Sequence, residues 1–233
     1  MASTGSRIRN GYAEGGLGRL AGALFNRAKK FFSLHVYFHK KGRLLEWSLT
    51  ESVPEVASPR VEIEVRELNE GDLTHFTQLV SDKKLRLFKE RLAEGKVCLV
   101  AWHKGEVAWF GWVCRGFEYE PVFGVMLDLK DDEGDVLDAF TNPKFRGKNL
   151  HTYMSARRLE RLQKMGVKKA YGIAAVGNLP SRKAHEKGGC VETREVSYFN
   201  VLGVKFHRWK DLTREQPPRA APRPLGRSGP RST

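Results

Sequence analysis

The tightest constraint on this chain is a junction in its second half, Asp135 to Cys190. Asp135-Val-Leu-Asp-Ala-Phe-Thr141 is short and strand-like, and Pro143 ends it because proline cannot donate to a ladder. From Leu150 to Met165, apolar residues recur at helical spacing: Leu150, Tyr153, Met154, Leu159, Leu162 and Met165. Between strand and helix lies a basic loop, Lys144-Phe-Arg-Gly-Lys148. A helix starting there leaves backbone N–H groups unbonded beside cations, which suits an anion and above all a pyrophosphate. The competing reading is a solvated basic turn. Val167 to Val176 then reads as a second strand, giving a β-α-β crossover with parallel strands. Gly177 to Gly189 reads as a loop, a short helix and a glycine stop.

The segments before this junction are mostly antiparallel in pattern. Leu34 to Trp47 predicts a hairpin turning at Lys40-Lys41-Gly42, and Thr50 to Arg60, with Pro54 and Pro59, predicts a linker. Val61 to Arg66 alternates strictly and predicts a half-buried strand. Asn69 to Glu94 predicts two helices. Val97–His103 and Glu106–Cys114, turning at Lys104-Gly105, predict a hairpin whose Trp102, Trp109 and Trp112 either pack in the core, as aromatic strand residues usually do, or form an aromatic platform for an acceptor. Pro121–Leu129 predicts an antiparallel partner for the strand Asp135–Thr141. Val191–Asn200 and Val204–Trp209, hinged at Leu202-Gly203, close the pattern.

Charge is unevenly spread. The formal net charge is +14, of which residues 1–60 carry +6, 61–209 carry +4 and 210–233 carry +4. Most of the excess lies outside the central segment, which argues against a nucleic-acid-binding core, although basic tails can touch anionic surfaces. Cys98, Cys114 and Cys190 match no zinc spacing and no disulfide framework, which fits a reducing compartment and a cytoplasmic location. His35 and His39 lack a carboxylate at ligand spacing, so no metal is expected. Residues 1–16 and the Pro/Arg-rich end of 210–233 read as disordered. Leu17 to Phe32 is a basic amphipathic helix by periodicity. It either packs on the domain, lies on a membrane surface or is an organelle-targeting peptide.

From Val61 to Trp209 the succession of elements resembles the GNAT acyltransferase superfamily, which transfers acyl groups, usually acetyl, from coenzyme A. The resemblance is dense from Asp135 to Cys190. The first family signature falls on Arg146-Gly147-Lys148-Asn149-Leu150-His151, where Arg146 matches while Asn149 and His151 replace small residues. His151 either reaches a phosphate oxygen or blocks the site. The second falls on Asn178, Ser181, His185, Lys187 and Gly189. The resemblance implies a mixed, mostly antiparallel α/β (α+β) fold whose sheet splays between the strand before Pro143 and the strand before Gly177.

Acetyl-CoA is the co-substrate so implied, held by Phe140, Thr141, Arg146, Gly147, Lys148, Asn149, Leu150, His151, Asn178 and Ser181. Asp138 takes the role of general base, with Asp135, Glu118 and Glu120 as alternatives. A backbone N–H near Thr141 holds the oxyanion, and His185 protonates the leaving sulfur. The implied reaction is N-acylation of a primary amine. The acceptor stays open among an amino sugar, a peptide N-terminus, a lysine side chain and a polyamine. The reading from another class is a non-catalytic module of this fold that binds acyl-CoA or nothing and works through its basic N-terminus at a membrane or a complex.

Overall fold

The computed structural model describes residues 37–116, 118–120 and 122–213. The amphipathic segment Leu17–Phe32, residues 1–16 and the Pro/Arg-rich tail lie outside them. The chain forms β1 (Tyr37–Ser48), β2 (Glu64–Glu67), a 3₁₀ helix (Glu70–Phe76), α1 (Asp82–Ala93), β3 (Val97–His103) and β4 (Glu106–Arg115). There follow β5 (Glu118–Glu120), β6 (Val125–Leu127), β7 (Glu133–Thr141), a 3₁₀ turn (Pro143–Phe145), α2 (Leu150–Lys164), β8 (Lys169–Ala175), α3 (Leu179–Lys187), β9 (Val191–Val201) and β10 (Val204–Asp211).

Among the described residues, eight strands make one sheet in the order β10-β9-β1-β8-β7-β4-β3-β2. Only β7 and β8 are parallel, because α2 carries the chain from one to the other. The remaining neighbours in this sheet are antiparallel. The 3₁₀ helix and α1 cover one face, where Phe76 and Phe88 pack on Phe110, Trp112 and Leu137. On the opposite face, Leu159 and Leu162 of α2 pack on Leu45, Val113 and Val136. Trp102, Trp109 and Trp112 are all buried in these layers.

Two pairings differ from the sequence reading. Leu34 to Trp47 is not a hairpin: β1 runs straight from Tyr37 to Ser48 and lies between β8 and β9. Gly42 marks a close approach and not a turn. A Cβ there would come within 2.7 Å of the Phe123 ring and 2.9 Å of Ile173 Cγ2, so only glycine lets the flap above it seat. That flap is the second correction. Residues 122–129 do not pair with β7. β5 and β6 form a separate two-stranded sheet. Phe123, Val125 and Leu127 pack on Leu44 and Val196. β7 pairs with β4 instead. Of the two helices read in Asn69–Glu94, the first is 3₁₀, and the strand read at Val61–Arg66 is confined to β2.

β7 and β8 meet at only three positions, Glu133–Asp135 against Lys169–Tyr171. Beyond them β7 continues to Thr141 and β8 to Ala175 with no ladder between. The sheet is therefore split at its centre, with the split open towards the start of α2.

Candidate active site

A cavity of about 1560 Å³ occupies this split, with Leu137 to Thr141 on one wall and Ile173 to Ala175 on the other. Its mouth is the β7–α2 junction. Asn142 starts the 3₁₀ turn by accepting from the Lys144 amide at 3.2 Å, and Pro143 follows it. Gly147, with φ +75°, and Asn149, with φ +62°, then turn the chain into α2 through left-handed backbone. The amides of residues 147–152 find no acceptor among the described residues. The structure thus builds the row of free N–H donors that the loop composition predicts.

The predicted cofactor residues divide around this junction. Phe140, Thr141, Arg146, Gly147, Asn149, Leu150, His151, Asn178 and Ser181 all line the cavity. Lys148 does not line it: its carbonyl accepts from the Arg60 amide at 2.9 Å. The Asn149 side chain is turned away from the loop, with Nδ2 donating to the Ala57 carbonyl at 2.6 Å. The segment between β1 and β2 is thereby strapped to the loop, and it brings Arg60 to the cavity wall. Asn178 caps α3 by accepting from the Ser181 amide at 3.3 Å.

His151 points inward. Trp109 Nε1–H donates to its Nδ1 at 3.2 Å, which puts the proton of the neutral ring on Nε2, 3.4 Å from Ser181 Oγ. Both nitrogens are engaged, so the ring serves as cavity wall and offers no donor to a phosphate. Burial, and then the Arg158 cation, hold its pKa down to about 4. His185, in the last turn of α3, stands edge-on to His151 with ring centroids 5.3 Å apart, and Trp47 of β1 packs edge-on to it at 5.2 Å. Burial, with smaller contributions from His151 and Arg158, pushes the His185 pKa well below its ordinary value. Its Nδ1 is sealed off without a partner, which leaves Nε2 as the nitrogen available to the cavity.

The opposite wall is ionic. β7 carries a bulge in which Asp138 and Ala139 face the single residue Gly111 of β4. Asp138 adopts φ +48° there, and its carboxylate accepts from Lys84 Nζ at 2.6 Å and Arg91 Nη1 at 3.0 Å. Both oxygens of the carboxylate are thus engaged by cations of α1. Behind the bulge, Arg158 of α2 is fully buried and donates to the carbonyls of Leu137 and Trp112. Burial lowers its pKa to about 10, against the raising effect of Asp135, and it stays a cation at neutral pH. Of the alternative bases, Asp135 is buried at the foot of the split and the Glu120 carboxylate accepts from the Val122 amide at the rim.

Arg158, Arg91, Lys84 and Trp47 were not singled out from the sequence. One signal was present: Met154, Arg158 and Leu162 share the apolar stripe of α2, where a cation needs a buried partner. Nothing local marks Lys84 and Arg91 as partners of a residue more than forty positions away.

No protein-family model and no curated protein sequence matches the chain. Solved structures do. A GCN5-related glucosamine N-acetyltransferase region of a fungal multi-domain GH3 β-N-acetylglucosaminidase is 15% identical at TM-score 0.52, over 73% of this chain and 22% of that one. A Drosophila protein is 14% identical at TM-score 0.52, over 78% of this chain and 58% of that one. A GNAT-family acetyltransferase from Colwellia psychrerythraea is 12% identical at TM-score 0.49, over 80% of this chain and 60% of that one. The chain thus spans less than two thirds of the length of each. The parted parallel pair, the mostly antiparallel sheet around it and the likeness to the fungal region together make this fold that of the GNAT superfamily.

Proposed function

We propose that the chain is an N-acyltransferase that moves an acyl group, acetyl in the first instance, from coenzyme A to a primary amine. The observation that carries this reading is the parting of β7 from β8 after three pairs, with free amides at the open end. The diphosphate rests on the amides of Gly147 to His151, with Arg146 and Arg60 beside it. The amide-rich arm lies between the parted strand edges, whose backbone groups need partners. Asn178 and Ser181 border it further in.

The ion pairing of Asp138 and the neutral, cavity-lining ring of His185 support giving the proton work to His185. As the amine nitrogen bonds to the acyl carbon and the carbon–sulfur bond breaks, one proton must pass from nitrogen to sulfur. A neutral imidazole can take it, and once charged in a site that disfavours the cation it gives it up readily to the thiolate. Asp138 then orients α1 against β7 through Lys84 and Arg91 and leaves the proton alone.

Calorimetric titration of acetyl-CoA, with thiol release measured over a panel of amines, tests the reading. Saturable binding that is lost in Gly147→Val, together with thiol release that requires an amine, supports it. No heat and no thermal stabilisation at millimolar acetyl-CoA would remove it. One observation favours a second reading, a binding module without turnover: Asp138 is closed off by its two cations. Binding without thiol release for any amine would establish that alternative.

A further inference from the structure

The far end of the sheet carries an apolar cluster that the acyltransferase reading does not use. β9 and β10 are joined by a two-residue turn at Leu202-Gly203, with φ +52° and +86°. Such a turn favours Asn-Gly, because a branched side chain in left-handed backbone is strained. Here the strained position holds a leucine that is 73% exposed. Asparagine would suit both the backbone and the water, so the leucine calls for a reason outside local folding.

Its neighbours point the same way. Tyr37, Val201 and Val204 stand side by side across β1, β9 and β10, and His39, Phe199 and Phe206 form the next row. The rings of that row stack at 4.3 and 4.9 Å. Tyr37, Val204 and Phe206 are 54%, 65% and 46% exposed. Lys41, Arg208 and Lys210 follow on the same face by strand alternation, Lys205 lies beside the turn on the other face, and residues 37–45 and 196–210 contain no aspartate or glutamate. Glu195 meets Lys41 and Arg43 at the border of the cluster.

The geometry points to this hairpin end as a docking surface for an anionic lipid bilayer. With the turn foremost, Leu202, Val204, Tyr37 and Phe206 enter the interface, and Lys41, Lys205, Arg208 and Lys210 meet the phosphates. A second copy of the chain is a poorer occupant, since a two-fold contact would bring the same cations together with no acid between them. The basic segment Leu17–Phe32 is poorly matched for the same reason of charge.

The test is sedimentation of the full chain with phosphatidylcholine vesicles, with and without phosphatidylserine. The expected result is binding to the anionic vesicles that weakens as salt is raised. Leu202→Asn should lower it about fivefold to tenfold while leaving the melting temperature equal or higher, because the turn is relieved. Lys205→Gln combined with Arg208→Gln should lower it further and reduce its salt dependence. Absence of binding to anionic vesicles overturns the proposal. So does binding unchanged by Leu202→Asn but abolished by Arg27→Gln, Lys29→Gln and Lys30→Gln together. A dimer in light scattering that Leu202→Asn dissociates, without vesicle binding, overturns it in favour of self-association.

Discussion

The two walls of the split differ in kind. On the β7 side, charges are present and spent: Asp138 on Lys84 and Arg91, Arg158 on the carbonyls of the bulge. Facing it are the rings of His151, from α2, and His185, from α3, both kept uncharged by burial. The difference separates position from chemistry. A group locked in an ion pair sets geometry, whereas a group held neutral with one nitrogen open can still exchange a proton.

The largest break in that contrast is expected from His185→Gln. Its turnover should fall about a hundredfold or more, the size of a lost proton-transfer group. Acetyl-CoA affinity by calorimetry should stay near that of the unaltered chain. Equal losses in binding and turnover would make His185 a wall residue like His151.

Arg158→Met attacks the ionic wall. It leaves two bulge carbonyls and Asp135 without their cation, and should cost about 3 kcal/mol of stability in urea unfolding. An unchanged midpoint would mean that the bulge holds without it.

Asp138→Asn sharpens the division of labour. If Asp138 only positions α1, the rate drops about tenfold, roughly 1.4 kcal/mol, with an unchanged pH–rate profile. Loss of the rising limb of that profile would restore the aspartate as the base.

A separate effect concerns pH and stability. The folded pKa of His151 is lowered from 6.5 to about 4, so between those values the unfolded chain binds the proton more readily. Stability is then complete above about pH 6.5 and falls as pH drops towards 4. His151→Gln should flatten that slope in thermal melts recorded across the window, and a slope left intact would move its origin to His185 or elsewhere.

Much of this was legible in the chain because it depends on neighbours in sequence. Pro143 ending β7, the basic loop Lys144–Lys148 and the helical stripe from Leu150 to Leu162 all stand where the residue pattern puts them. So do the β3–β4 hairpin and the Leu202-Gly203 turn. Misreadings arose where a residue has two uses. Lys40-Lys41-Gly42 has the composition of a turn, yet Gly42 is there for the Phe123 ring that lies over it.

By itself, then, the sequence determined the β-turn-helix unit and its free amides, since capping, proline and glycine act over a few residues. Only the tertiary structure decided which strands became neighbours, that β1 would enter the sheet between β8 and β9, and that Asp138 would meet Lys84 and Arg91. It also decided that both histidines would be buried and neutral. Those outcomes depend on packing and desolvation among segments far apart in the chain, and no local run of residues encodes them.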